Sequence, residues 1–411
     1  DPDAAYITIA PAHLREAFWH KIARPVKGIM YHGWQSLVET EGKSVYRYTH
    51  PETRFALQDL IETVVKPLGP TLMQLPEAPS DVAFLESFTS TIFAGRGTYG
   101  WGGSRAADVY HMLLYAQMQP RIIYEETLLT EGLDNFRVLV LADCDVLPRE
   151  VVEQIQAYQK KGGIIVGDDR LCPAIRPDIV VQVETRSGKA DEDKGRILAG
   201  AARLAAQLAP VYRPAIISSD PEVLPYKRSF GPADYVFAIN DKREFGSYVG
   251  QHGLVMENGV PAQAAFTLSR NEGFVYDLVR HRQVDASSED GHLRIPITLE
   301  PGGGRMYLVC ENTIDQVQIT CADHASRGEE ISFSISVCDS TGKAADALIP
   351  LELRITDPDG RPAEFSGFYG APSGSLNLTA AIAANDTPGM WTLEVRELAS
   401  NRQGFHFFRV D

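Results

Sequence analysis

At 411 residues, with 44% hydrophobic and 23% charged positions, the chain has an ordinary globular composition and is too long for a single core, so two to four domains are expected. Its 54 acidic and 39 basic residues leave a net charge of −15, which disfavours contact with nucleic-acid phosphates or anionic lipid. No apolar run reaches the ~18 residues that cross a bilayer, and Cys144, Cys172, Cys310, Cys321 and Cys338 have no zinc-site spacing. No metal, cofactor, nucleic acid or membrane span is therefore expected.

The opening Asp1-Pro2-Asp3 has neither an initiator Met nor a signal-peptide pattern and reads as a cut end. Residues 13–23 predict a helix with Leu14, Phe18 and Ile22 at four-residue spacing, which Pro25 ends before the apolar run Gly28-Ile-Met-Tyr31. A second helix opens at Pro51-Glu52, places Phe55, Leu57, Leu60, Ile61, Val64 and Val65 on its apolar face, and closes at Pro67-Leu-Gly-Pro70. A lone α-β-α piece cannot bury both faces of its strand, so it must complete something larger.

From Asp81 onward strands and helices alternate. Strands are expected at 82–85, 122–124, 136–142 and 164–166, with helices from Ser104, from Pro148 to Tyr158, and near 197–208. Short loops between alternating elements imply a parallel, doubly wound sheet. After Pro225 the helical period disappears, and short strand-like runs at 235–240, 264–268, 273–278, 293–299 and 306–311 predict an antiparallel sandwich. A last series at 331–337, 351–355, 376–382, 391–395 and 405–410, divided by turns such as Asp357-Pro-Asp-Gly360, predicts a second one. Cys310, Cys321 and Cys338 fall in strand-like segments, where a disulfide and buried free thiols are both open, and the compartment is undecided.

The order Gly28-Ile-Met-Tyr-His-Gly-Trp34-Gln-Ser36, helix, Val138-Leu-Val-Leu-Ala142 and Lys161-Gly-Gly-Ile-Ile-Val166 resembles the C-terminal half of family 42 β-galactosidases. The resemblance implies the end of a (β/α)8 barrel over residues 1–75, a class I glutamine amidotransferase-like α/β domain of flavodoxin-like kind over 76–225, a β-sandwich over 226–322, and an immunoglobulin-like β-sandwich over 323–411. The last of these is similar to modules of bacterial surface and secreted proteins, and a secreted or periplasmic setting is favoured over a cytoplasmic one. The resemblance further implies a carbohydrate substrate held by the parent barrel and a homo-oligomer built by the α/β domain. In that family the acid and nucleophile carboxylates lie on earlier barrel strands, upstream of this chain, so this part alone should be inactive.

What remains of a sugar site is an edge. Trp34, at the end of the final barrel strand, would stack on a sugar ring or pack at the rim. Glu41 and Tyr46 are the nearest matches to hydroxyl-binding positions of the relatives, although the family spacing is not kept and a solvated carboxylate and a packed Tyr fit as well.

Independent chemistry in the α/β domain would need a Cys or Ser on a strand-to-helix turn beside a His and an acid. The turn after 164–166 reads Gly167-Asp-Asp-Arg170, Cys172 is too far along, and Cys144 lies between Asp143 and Asp145, which oppose thiolate formation. The glycine-rich stretch from Gly95 to Ser104 fits Gly-x-Gly-x-x-Gly by letter, but a surface loop, or one covering a neighbouring subunit's sugar site, suits it better than nucleotide binding. Asp191-Glu-Asp193 lacks a calcium-loop pattern and reads as a solvated turn. Asn377-Leu-Thr379 and Asn385-Asp-Thr387 match glycosylation acceptors, a common chance pattern. The alternative to a glycosidase part is a non-enzymatic polysaccharide-associated surface or binding protein with a degenerate amidotransferase-like domain. A third reading is a thiol-dependent amidohydrolase using Cys144 or Cys172.

Overall fold

A computed structural model describes residues 10–30, 52–93, 105–249 and 254–411, without the side chains of 246–257. The chain divides into two compact units, Asp1–Ala78 with Pro225–Asp411, and Pro79–Leu224.

The first unit begins with α1 (Pro11–Ile22), whose Pro11 sits in the first turn, where its missing N–H costs nothing. Leu14, Phe18, Trp19 and Ile22 are its buried side chains. Gly28–Met30, the described part of the expected barrel strand, is not a strand, and Met30 is 94% exposed. The run is too short to choose a conformation by itself, and no described strand pairs with it. Tyr31 to Trp34 lie outside the described residues.

The second helix departs from expectation at its prolines. α2 (Glu52–Leu60) continues through a π-helical turn, Ile61–Val65, into α3 (Lys66–Gln74), which contains both Pro67 and Pro70. A proline ring clashes with the carbonyl four residues earlier and offers no N–H; the wider π turn just before Pro67 absorbs that misfit without ending the helix. The shift of phase also selects the buried stripe. Thr53, Ala56, Leu60, Val64, Leu68 and Thr71 are inside, whereas the expected core residue Phe55 is 57% exposed.

Pro79–Leu224 forms an open parallel sheet. β1 (Val82–Glu86), β2 (Arg121–Tyr124), β3 (Val138–Leu141), β4 (Ile164–Gly167) and β5 (Ile179–Val180) lie in the order β2-β1-β3-β4-β5, every neighbour parallel. The central β3 and β4 are four-residue apolar strands buried throughout, as the middle of such a sheet requires. Val82, Phe84, Val138 and Val140 face α5 (Arg105–Tyr115) and α8 (Ala190–Leu208), while Ala83, Leu85, Leu139 and Leu141 face α6 (Glu125–Glu131) and α7 (Arg149–Lys160). The short α4 (Phe88–Phe93) follows β1 directly. Helix α8 starts seven residues before the expected point, and Asp191-Glu-Asp193 is its first turn rather than a free loop. Asp193 accepts the N–H groups of Ser187 (2.7 Å) and Gly188 (3.0 Å), a use of negative charge that helix N-termini favour. A three-residue strand, β6 (Ile216–Ser218), precedes the return to the first unit.

The rest of that unit is antiparallel but for one short pairing. β7 (Val223–Phe230), β8 (Ala233–Asn240), β12 (Phe274–Asp277), β13 (Arg282–Val284) and β16 (Gly304–Cys310) form a sheet in the order β13-β12-β16-β8-β7. β14 (Ser287–Glu289), β15 (His292–Leu299) and β11 (Ala262–Leu268) are neighbours in a second, and β9 (Arg243–Val249) and β10 (Leu254–Gly259) pair as a hairpin. β15 alternates buried and exposed residues, as a half-solvated strand should, whereas β16 is buried throughout because α1 lies on it. A Cβ on Gly304 would meet the Trp19 ring at 2.3 Å, so the helix seats there only against glycine.

The C-terminal strands make two more sheets. β17 (Gln316–Cys321), β19 (Glu330–Cys338) and β22 (Ser375–Ala381) form one, in the order β17-β19-β22. β18 (His324–Ala325), β20 (Ile349–Thr356), β21 (Gly367–Ala371), β23 (Gly389–Glu397) and β24 (Gln403–Val410) form the other, in the order β18-β24-β23-β20-β21. The ring of Phe408 on one sheet lies 5.9 Å from Phe333 on the other. In the earlier sheet, Arg228 on β7, 1% exposed, ties that strand to the N-terminal helices: it donates to Leu72 O (3.0 Å) and Leu75 O at the end of α3 and to Ile22 O (3.4 Å) at the end of α1. It thereby serves both helix C-termini, and its burial pulls the guanidinium down to about 10.

Candidate functional site

In an open parallel sheet the place for a ligand is the crevice beyond the carboxyl ends of the strands where the winding reverses, here between β1 and β3. The segments that meet there are Ser87–Ser90 after β1 and Ala142–Val146 after β3. They are clasped together. Ser90 Oγ donates to Val146 O (2.6 Å) and accepts the Val146 N–H (3.1 Å). Glu125, at the start of α6, is buried and accepts the Ser87 hydroxyl (2.6 Å), the Thr89 hydroxyl (2.7 Å) and the Thr89 N–H (3.3 Å). Both of its oxygens are thus occupied by the loop that would otherwise line the crevice.

Beside this clasp lies a group of charges at the ends of β3 and β4. The Asp168 side chain is fully buried and accepts the N–H groups of Asp143 (3.2 Å) and Arg170 (3.1 Å), with Arg105 Nε at 3.5 Å. Burial pushes its carboxyl above the ordinary value, opposed by those two N–H groups and by the Arg105 charge. Arg105 also pairs with Asp169 and stands 4.0 Å from Asp143, which Arg170 approaches at 3.4 Å. Each aspartate of Asp143, Asp168 and Asp169 has a guanidinium partner.

The chemistry open to this arrangement is limited. Cys144 is completely buried, its sulfur 3.4 Å from Ala142 O and 3.8 Å from Leu85 O, so it behaves as a small core residue. Cys172 is half-buried, and its backbone N–H donates to the Cys144 carbonyl at 2.8 Å. The single histidine of this unit, His111, is exposed and lies six residues along α5 from Arg105, roughly 9 Å farther down the helix.

Trp34, Glu41, Tyr46 and the Gly95–Ser104 loop all lie outside the described residues. Cys310, Cys321 and Cys338 are free thiols; burial pushes Cys310 up to about 12 and Cys321 up to about 11. Asn377 and Asn385 are exposed, and Asn377 Oδ1 accepts the Ser334 hydroxyl at 2.5 Å. Among the described residues no group of three or more His, Cys, Asp or Glu side chains could hold a metal, and no helix is long and apolar enough to cross a membrane. Sequence reasoning missed the Ser90–Val146 clasp and the Glu125 anchor. Isolated Ser, Thr and Glu residues carry no periodic signal, and only the sheet order brings them together.

No protein-family model matches the chain, and no curated protein matches it. Solved structures do resemble it. α-L-fucosidase isoenzyme 2 from Paenibacillus thiaminolyticus aligns at 13% identity and a TM-score of 0.49, over 74% of this chain and 58% of that one. A family GH42 exo-carrageenase from Bacteroides ovatus aligns at 11% and 0.44, over 74% and 40%, and a β-galactosidase from Rahnella sp. R3 at 12% and 0.43, over 73% and 51%. The chain spans between two fifths and three fifths of the length of these glycoside hydrolases.

Proposed function

We propose that this chain is the C-terminal, mainly non-catalytic part of a glycoside hydrolase of the β-galactosidase kind, in which the parallel-sheet unit builds a homo-oligomer and the β modules support the catalytic domain. The observation that carries the reading is the module order. A doubly wound sheet precedes two antiparallel β modules, as in the resemblance drawn from the sequence, and the polar side chains described at its switch point are engaged with one another, Ser90 with Val146 and Asp168 with Arg105. Of the stretch assigned to the closing barrel strand, Gly28–Met30 is not a strand and Tyr31–Trp34 lies outside the described residues.

The test is expression of the chain together with its native upstream sequence. Hydrolysis of a β-glycoside that disappears when two upstream carboxylates are replaced is the expected result. A gene with no barrel upstream, or an extended protein without glycosidase activity, would overturn the reading.

A further inference from the structure

The outer face of the C-terminal five-stranded sheet is built unlike the rest of the surface. Alternation along β20, β23 and β24 sends Leu353, Val395 and Phe408 inward, and their neighbours outward. Register then sets the outward residues in rows across the strands. Arg354 pairs with Glu394 and Glu394 with Phe405; one step along, Glu352 pairs with Arg396 and Arg396 with Gln403. Glu352, Arg354, Glu394, Arg396 and Gln403 line a trough of about 270 Å³. At its side stand Phe405 and Phe407, 54% and 57% exposed, two residues apart on one face of β24 and so roughly 7 Å from each other.

We propose that this trough binds a neutral polyhydroxylated ligand, a segment of a glycan chain, with the apolar face of one sugar ring on Phe405 and its hydroxyls on the charged rows. Charge selects the class. Two carboxylates, Glu352 and Glu394, face two guanidiniums, Arg354 and Arg396, so the rows are neutral in sum. Arg396 is already engaged with Glu352 at 2.5 Å, and Arg354 lies 3.9 Å from the same carboxylate. Arg396 is thereby taken up by a carboxylate, and Arg354 has the same carboxylate beside it. Hydroxyl groups both donate and accept, and a row of acceptor, donor and amide side chains satisfies them where a purely apolar partner would leave those groups unpaired. Aromatic rings offer broad, rigid contact at small entropic cost. The exposed large apolar residues of β23 and β24 are Met390, Phe405 and Phe407. The inference does not rest on the proposed parent enzyme, since the trough lies wholly in this chain.

The experiment is native affinity electrophoresis of the 411-residue chain in gels containing soluble galactan, xyloglucan, laminarin or, as the anionic counterpart, carrageenan, with size-exclusion chromatography alongside. Retardation in at least one neutral gel is expected, with affinity reduced about tenfold in Phe405→Ala and in Glu394→Gln and unchanged thermal unfolding in both. Three results would overturn the proposal: no retardation in any neutral gel, retardation in carrageenan alone, or retardation insensitive to both substitutions. A dimer that Phe405→Ala converts to monomer would also overturn it, by assigning the face to self-association. A parent protein without glycosidase activity would leave these outcomes intact, so the two proposals fail separately.

Discussion

Two regions of the molecule hold the same kinds of side chain, carboxylates beside guanidiniums, and put them to opposite uses. At the ends of β3 and β4, Asp168 is fully buried and held by Arg105 and backbone N–H groups. On the outer sheet face the Arg354 side chain is 62% exposed, and its carboxylate neighbour Glu352 is 24% exposed. A buried charge must be paired or it costs several kcal/mol, so the first set is structural. An exposed paired set costs little to keep and little to lose, which leaves it available for recognition.

The largest effect should come from the buried cluster. Arg105→Ala leaves Asp168 buried with a weakened partner set and is expected to destabilise the parallel-sheet unit by roughly 3 kcal/mol, read as a lowered urea midpoint. A change within error would show that the cluster is more solvated than its burial implies.

Glu16 on α1 and Asp241, just after β8, form a carboxyl pair with a comparable effect and a pH signature. Burial, and next the neighbouring Asp241 charge, raise Glu16 to about 7, while Arg243, which bonds both carboxylates, pulls it down. A carboxyl raised in the folded state gives stability that is complete below its unfolded value of 4.5 and is lost as pH rises towards 7. The loss should be about 3 kcal/mol across that window, and Glu16→Gln should flatten the profile in pH-dependent denaturation. The smallest effect belongs to the open face: Arg354→Ala should change stability by about 0.5 kcal/mol or less, and a drop comparable to that of Arg105→Ala would erase the contrast between the two regions.

Legibility in the sequence follows the same physics. The strands of the parallel sheet stood out because short apolar runs between turn residues leave few alternatives, as with Val138–Leu141 and Ile164–Val166. The later β modules were legible through period-two alternation, most plainly in β15. The helix Phe88–Phe93 was not, since Phe88, Ile92 and Phe93 are exposed and no amphipathic pattern marks it. The passage through Pro67 and Pro70 was hidden because local proline rules were overridden by packing of Leu68 and Thr71. Long-range pairs such as Trp19 with Gly304, or Arg228 with the ends of α1 and α3, have no local signal at all. In the run Phe405-His-Phe-Phe408 only the strand register tells which rings face out, so the trough beside Phe405 could not be read beforehand.

The proposal that the parallel-sheet unit carries no reaction of its own is tested most directly by assaying the purified 411-residue chain against activated ester, amide and β-glycoside substrates, before and after thiol alkylation. The account predicts no turnover with any of them and slow modification of the buried Cys144. Hydrolysis that alkylation or Ser87→Ala abolishes would contradict it.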